Sequence, residues 1–262
     1  MWANVYFWIM NLAVDIGNSA VKLGLFEGDQ LIDAGLDAGG LEGLEQFLGG
    51  RVPRRVIVCS VRKDSGLYVD MLRAKFGELL VYPGSLRLPV KNAYRTPETL
   101  GADRIPPVIG AMNLLPGHSG ADPSAYGRRG NAILVVDAGT CIKFNFLNEA
   151  AEFLGGSIAP GLEMRFKALH TFTSALPLTG ADQNFDKMLG QDTRESILAG
   201  VQAGAVAEVE GMIVRYREVY QGLEVLLTGG DGLFFGKRLK NRIFVDPNLL
   251  LKGLNCILNF ND

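Results

Sequence analysis

A chain of 262 residues is long enough for one large domain or two small ones, each burying its own core. Its 48% hydrophobic and 21% charged residues are ordinary for a globular protein, and a formal charge of −2 argues against a nucleic-acid binder, which needs a clustered Lys/Arg excess. Arg128-Arg129 and the Lys237, Arg238, Lys240, Arg242 group are too small to supply that excess. Cys59, Cys141 and Cys256 are far apart, with no CxxC or Cys/His spacing, so neither a disulfide framework nor a zinc site is indicated and a cytoplasmic location is expected.

The chain opens on MWANVYFWIMN, apolar but only about ten residues long, with no Lys or Arg ahead of the apolar run and no clear small-residue cleavage site. That is too short to span a bilayer and wrong for a secretory signal, so it reads as an extension into the first strand, with no membrane partner. Strands are expected at residues 12–14, 21–26 and 56–60, and helices, from apolar residues at i, i+3, i+4, at 41–48 and 67–76. Between the first two strands lies DIGNSAVK, where Gly17-Asn18 is hairpin-turn chemistry because both residues tolerate positive φ. Residues 100–115 read as a helix interrupted near its start by Pro106-Pro107. Residues 116–131, PGHSGADPSAYGRRGN, lack apolar periodicity and mark the best boundary; His118 reads as a solvated loop residue.

Beyond that boundary, strands are expected at 133–137, 141–147, 153–158 and 224–228, and helices at 161–169, 194–220 and 249–258. Hairpins followed by alternating helices and strands, twice over, give an α/β chain of two similar lobes with an active-site cleft between them: 1–118, a linker at 119–130, and 131–262.

LAVDIGNSAVKLGLF, around Asp15, and LVVDAGTCIKFNFL, around Asp137, share an apolar strand, Asp-x-Gly, a small polar residue and a resumed strand carrying Lys22 or Lys143. Chance similarity and a duplicated domain are both open readings. Backbone N–H groups and small hydroxyls in such turns suit phosphate oxygens, and Gly lets the anion approach closely. The carboxylates would repel a bare anion, which calls for a cation such as Mg2+ or a monovalent ion. In TLGADRIPP, Asp103 is a candidate general base and Arg104 a bidentate carboxylate holder; the alternative is Asp103 as a helix N-cap with Arg104 facing solvent. GGSIAPGLEM (Gly155, Gly156 and Gly161) and LLTGGDG are small-residue turns that permit close approach of a ligand. Cys141 reads as a small buried strand residue, and His170 as a helix-surface residue.

DIGNSAVK, NAYRTPETLGADR, VVDAGT, GGSIAPG, TSALP, LLTGGDG and DPNLLLKGL, in this order and approximate spacing, resemble type III pantothenate kinases from Asn11 to about Asn259. That family belongs to the acetate kinase, sugar kinase, Hsp70 and actin superfamily of duplicated ribonuclease H-like lobes. The resemblance implies ATP-dependent phosphorylation of the primary hydroxyl of pantothenate, the first step toward coenzyme A, by a homodimer. It implies a phosphate-binding hairpin of Asp15, Ile16, Gly17, Asn18, Ser19, Ala20, Val21 and Lys22, with Asp15 near the metal–phosphate assembly, and Thr140 on ATP phosphate. It further implies Asp103 as the base, a pantothenate pocket of Tyr94, Gly101, Ala102, Asp103, Arg104 and Thr173, and Asp137 as ligand of a monovalent cation, K+ or NH4+.

Two departures stand out. Cys141-Ile142-Lys143 replaces the small residue and threonines usual after VVDAGT, and Asn92-Ala93-Tyr94 replaces Asn-Pro-Tyr. The rival functions are a kinase for another small hydroxy-acid or sugar, and a non-catalytic accessory protein on the same scaffold. A sugar pocket would use more neutral hydrogen-bonding groups than Arg104, and the accessory reading is disfavoured by the presence of Asp15, Asp103 and Asp137.

Overall fold

The computed structural model describes residues 10–37, 40–115, 131–240 and 243–262; the expected linker, His118 and most of the amino-terminal extension lie outside them. The chain divides into two compact units, Met1–Arg128 with Asn248–Asp262, and Arg129–Pro247.

The first unit is built on β1 (Met10–Ile16), β2 (Val21–Glu27) and β3 (Gln30–Asp37), then α1 (Leu41–Leu48), β4 (Arg55–Ser60), α2 (Gly66–Phe76), β5 (Leu80–Tyr82), the short β6 (Lys91–Asn92) and α3 (Pro106–Leu114). Its sheet runs β3-β2-β1-β4-β5, antiparallel through the first three strands and parallel from β1 to β4 to β5. Alternation decides which side chain faces what. Leu12, Val14 and Ile16 pack with Leu44 and Leu48 of α1 and Val69 and Leu72 of α2. Asn11, Ala13 and Asp15 therefore share the other face, where Asn11 donates to Asn255 and Asn259, each at 2.8 Å.

Those asparagines belong to α8 (Leu249–Phe260), which packs on α3, β1, β2 and β4. This corrects the expected division at 131–262: the last helix completes the first unit. The cause is a close backbone approach, since a Cβ on Gly110 would overlap the Leu249 carbonyl and one on Gly253 the Pro106 carbonyl. The helix expected at 100–115 begins only at Pro106, with the two prolines in its first turn, where a missing N–H is harmless. The strand β3 is not among the expected elements because its QLIDAGLD pattern alternates half-buried with exposed positions and carries little apolar signal; Gly28, at φ 56°, turns the chain into it.

The second unit contains β7 (Ile133–Ala138), β8 (Cys141–Leu147), β9 (Glu152–Pro160), α4 (Leu162–Thr171), α5 (Thr193–Leu198), a π turn (Ala199–Ala203), α6 (Gly204–Val219), β10 (Glu224–Thr228), α7 (Gly232–Gly236) and β11 (Phe244–Val245). Read as β9-β8-β7-β10-β11, its strands repeat the first unit's arrangement: three antiparallel, then two parallel. Leu134, Val136 and Ala138 join Phe166, Val201, Val209, Ile213 and Phe235 in a helix-covered core, so Asp137 lies on the opposite face, as Asp15 does in the first unit. The helical stretch Thr193–Val219 is long and apolar enough to cross a membrane, but it supplies Ile197, Leu198, Val201, Ala205, Val209 and Ile213 to this core.

Candidate active site

In the first unit, Asp15 is 5% exposed and stands directly across from Lys22. Residues 17–20 form the turn, closed by Gly17 N–H donating to the Ala20 carbonyl at 3.0 Å, with Asn18 and Ser19 exposed. The expected hairpin forms, but none of these four residues adopts positive φ, so the turn does not use the conformation that Gly17 and Asn18 would tolerate. Gly17 matters through size, because a Cβ there would lie 3.2 Å from the Ala20 oxygen. Ile16 and Val21 are buried in the core, so they offer a ligand backbone rather than side chain.

Further along, Tyr94 is half-buried, and its N–H donates to Asn92 Oδ1 at 3.1 Å, an Asx turn that forms without the usual proline. Residues 101–104 make a turn in which Arg104 N–H donates to the Gly101 carbonyl at 3.1 Å. Gly101 is exposed, Ala102 is buried, Asp103 is half-buried, and a Cβ on Gly101 would lie 3.0 Å from Asp103 Oδ1. The N-cap of α3 is Ile105, with no side-chain cap, and Arg104 is 4% exposed. Both halves of the alternative reading therefore fail: Asp103 does not cap the helix, and Arg104 does not face solvent.

In the second unit, three segments far apart in sequence meet. Gly139 and Thr140 turn β7 into β8, and Gly139 N–H donates to the Cys141 carbonyl at 3.0 Å. Gly161, the N-cap of α4, donates to the Thr140 carbonyl at 3.1 Å, and a Cβ on it would overlap the Gly139 carbonyl. Thr228, ending β10, is the register partner of Asp137. Gly229, at φ 93°, follows; a Cβ on it would overlap the Ala138 carbonyl and lie 2.7 Å from Asp137 Oδ1, and Asp231 N–H donates to the Ala138 carbonyl at 2.9 Å. Glycine size is thus used for backbone packing within the protein: Gly156, expected to leave room for a ligand, approaches the Phe144 carbonyl instead.

Asp137 lies opposite Lys143, and Lys143 Nζ is 2.7 Å from Asp137 Oδ2 with both side chains largely buried. In the sequence Lys143 stands out only as part of the repeat; the register of a tight hairpin closing just after Asp137 is the signal for this pair. Asp231 is a second residue that sequence reasoning misses. Desolvation, then the Glu163 carboxylate, holds its carboxyl above the usual range.

Thr173 is exposed just past α4, its hydroxyl donating to the Leu169 carbonyl at 2.6 Å, so α4, about 15 Å long, separates it from Gly161 and the Thr140 turn. His170 is exposed on α4, its Nδ1 2.9 Å from the Leu176 carbonyl. Gln202 of the π turn accepts from Asp182 N–H at 2.7 Å and donates to the Asp182 and Phe185 carbonyls at 3.1 and 3.3 Å, fixing the segment after TSALP. Cys141 is half-buried rather than buried, and none of the three cysteines is in a disulfide.

Residues 11–215 match the family model for type III pantothenate kinase. A Bacteroides fragilis protein named type III pantothenate kinase is 40% identical over 254 residues, covering 97% of this chain and 99% of that protein. One of the same name from Christiangramia forsetii is 38% identical over 256 residues, covering 96% and 99%. The crystal structure of a Baf family protein from Campylobacter jejuni shares the fold at 20% identity, with a TM-score of 0.55 over 94% of this chain and 96% of that one. With matches of this extent, and with GADR, DAGT and TGGDG placed in turns at the ends of helices and strands, the chain is a kinase that belongs to the type III pantothenate kinase family.

Proposed function

We propose that the chain transfers the γ-phosphoryl group of ATP, presented with Mg2+, to the primary hydroxyl of pantothenate, giving 4'-phosphopantothenate for coenzyme A synthesis. Phosphoryl transfer depends chiefly on positioning and charge neutralisation, which backbone turns and a few charged side chains can supply. Asp103 takes or orients the hydroxyl proton, and Arg104 holds the substrate carboxylate in a bidentate pair, where a guanidinium is better suited than an ammonium. Tyr94, Gly101 and Ala102 line the acceptor pocket, with Thr173 contributing. The Asp15–Lys22 hairpin and Thr140 hold the nucleotide phosphates, with Asp15 acting through Mg2+, a hard cation suited to a carboxylate and phosphate oxygens.

The observation that carries this reading is the turn at residues 101–104, where an arginine 4% exposed stands beside a half-buried aspartate that does not cap the helix after it. A planar guanidinium held in this turn suits a carboxylate-bearing acceptor, which it can meet in a bidentate pair, better than it suits a neutral sugar. The order shared by the five-stranded sheet and five of the six strands of the other, each with an aspartate near the end of a strand across from a lysine, supports a pair of duplicated ribonuclease H-like lobes, the first completed by Asn248–Asp262. A cytoplasmic homodimer belongs to the same reading. A monovalent metal ion at Asp137 fits less well: the carboxylate already has an ammonium at 2.7 Å. Among the described residues no group of three or more His, Cys, Asp or Glu could hold a metal ion.

ADP release by the purified chain tests the reading. Pantothenate should stimulate it, while pantothenol, which lacks the carboxylate, and hexoses should not. Stimulation by a sugar or a different hydroxy-acid, and not by pantothenate, would replace the substrate.

A further inference from the structure

The carboxylate of Asp137 is largely buried and already engaged by a cation. Oδ2 meets Lys143 Nζ at 2.7 Å, with the two side chains 14% and 15% exposed, and Oδ1 faces the Cα of Gly229, where an added Cβ would lie 2.7 Å away. The pair is set by strand register, since Asp137 and Lys143 are direct cross-strand partners on the face opposite the helix-covered core. A cation seated on this carboxylate would need oxygen ligands around it and would stand within a few ångströms of a like charge. A lysine ammonium is itself a compact monovalent cation on a four-carbon stem, chemically a tethered alkylammonium ion.

We propose that Lys143 is a built-in monovalent cation: its ammonium supplies, beside the Gly139-Thr140 and Gly229-Gly230 turns, the charge that a free potassium or ammonium ion would otherwise bring, so that the chain works without monovalent activation. The inference rests on the kinase reading above, and it assigns Lys143 a positioning role, acting through Asp137 and the turns that Asp137 supports. The hairpin that carries the resembling motif thus departs from it at the residue that decides the need for salt.

The test compares pantothenate-dependent ADP release in potassium, ammonium and tetramethylammonium chlorides at equal ionic strength, the last cation being too large for such a site. Wild-type turnover should agree within about twofold across the three, because screening is the same in each. Lys143→Ala should lose about 10²-fold in tetramethylammonium and recover in potassium or ammonium. A wild-type enzyme that turns over in potassium but hardly in tetramethylammonium would overturn the inference and leave the kinase reading intact. Melting temperature gives a second readout, independent of substrate. Potassium in place of tetramethylammonium should stabilise Lys143→Ala and leave the wild type unshifted; a potassium-specific shift in the wild type would contradict the inference even if pantothenate proved the wrong acceptor. Should Lys143→Ala fail to fold, the wild-type comparisons decide alone.

Discussion

Asp103 sits one residue ahead of a buried arginine and two ahead of the N-cap of α3, a helix it does not cap. In the proposed reaction this carboxylate takes or orients the proton of the acceptor hydroxyl. Asp103→Asn is expected to cut turnover by about 10²–10⁴-fold, the usual worth of a positioned base, with an unchanged melting temperature. A matching loss of stability would point to a structural role. Lys143→Ala leaves a largely buried carboxylate without its ammonium and should cost about 3–5 kcal/mol in denaturant unfolding measured without potassium.

Asp231 gives a prediction of opposite sign. Its folded pKa lies above its unfolded value, so the stability tied to its protonated form is present at low pH and lost as pH rises through the folded pKa. Asp231→Asn should therefore melt higher than wild type at neutral pH, and the difference should vanish below the carboxylate range. At this scale the GADR segment stands out in sequence, yet its surroundings do not. Burial of Arg104 is a tertiary fact, and spacing alone leaves the N-cap reading open. The Asp137–Lys143 pair is legible only through hairpin register.

Elements place these residues through glycine. The helices α3 and α8 lie close enough that Gly110 and Gly253 each face the other helix's backbone carbonyl, and this pairing covers the sheet face that carries Asp15. Gly253→Ala should destabilise the chain by about 1–3 kcal/mol in denaturant titration, the range for forcing extra volume into a packed contact. Neutral stability there would mean the helices can part at little cost. Strongly periodic elements such as α1 and β8 are readable because their apolar positions recur at helix or strand spacing. β3 is not, since half of its residues face outward, and Pro106-Pro107 looks like a helix break where it is a helix start.

Taken whole, the chain uses one strand arrangement twice and then returns its last helix to the first unit. The repeat is legible because Asp-x-Gly recurs at strand ends. The returning helix is not, because an amphipathic segment does not say which sheet it covers; that depends on Asn11 meeting Asn255 and Asn259 across the length of the sequence. The family match, over residues 11–215, spans the turns that hold Asp103, Arg104, Asp137 and Thr140. The most direct measurement is the product itself: the purified chain, incubated with ATP, Mg2+ and pantothenate in potassium chloride, analysed by mass spectrometry. The expected result is 4'-phosphopantothenate formed in equal amount to ADP, and ADP without phosphopantothenate, or neither, would contradict the account.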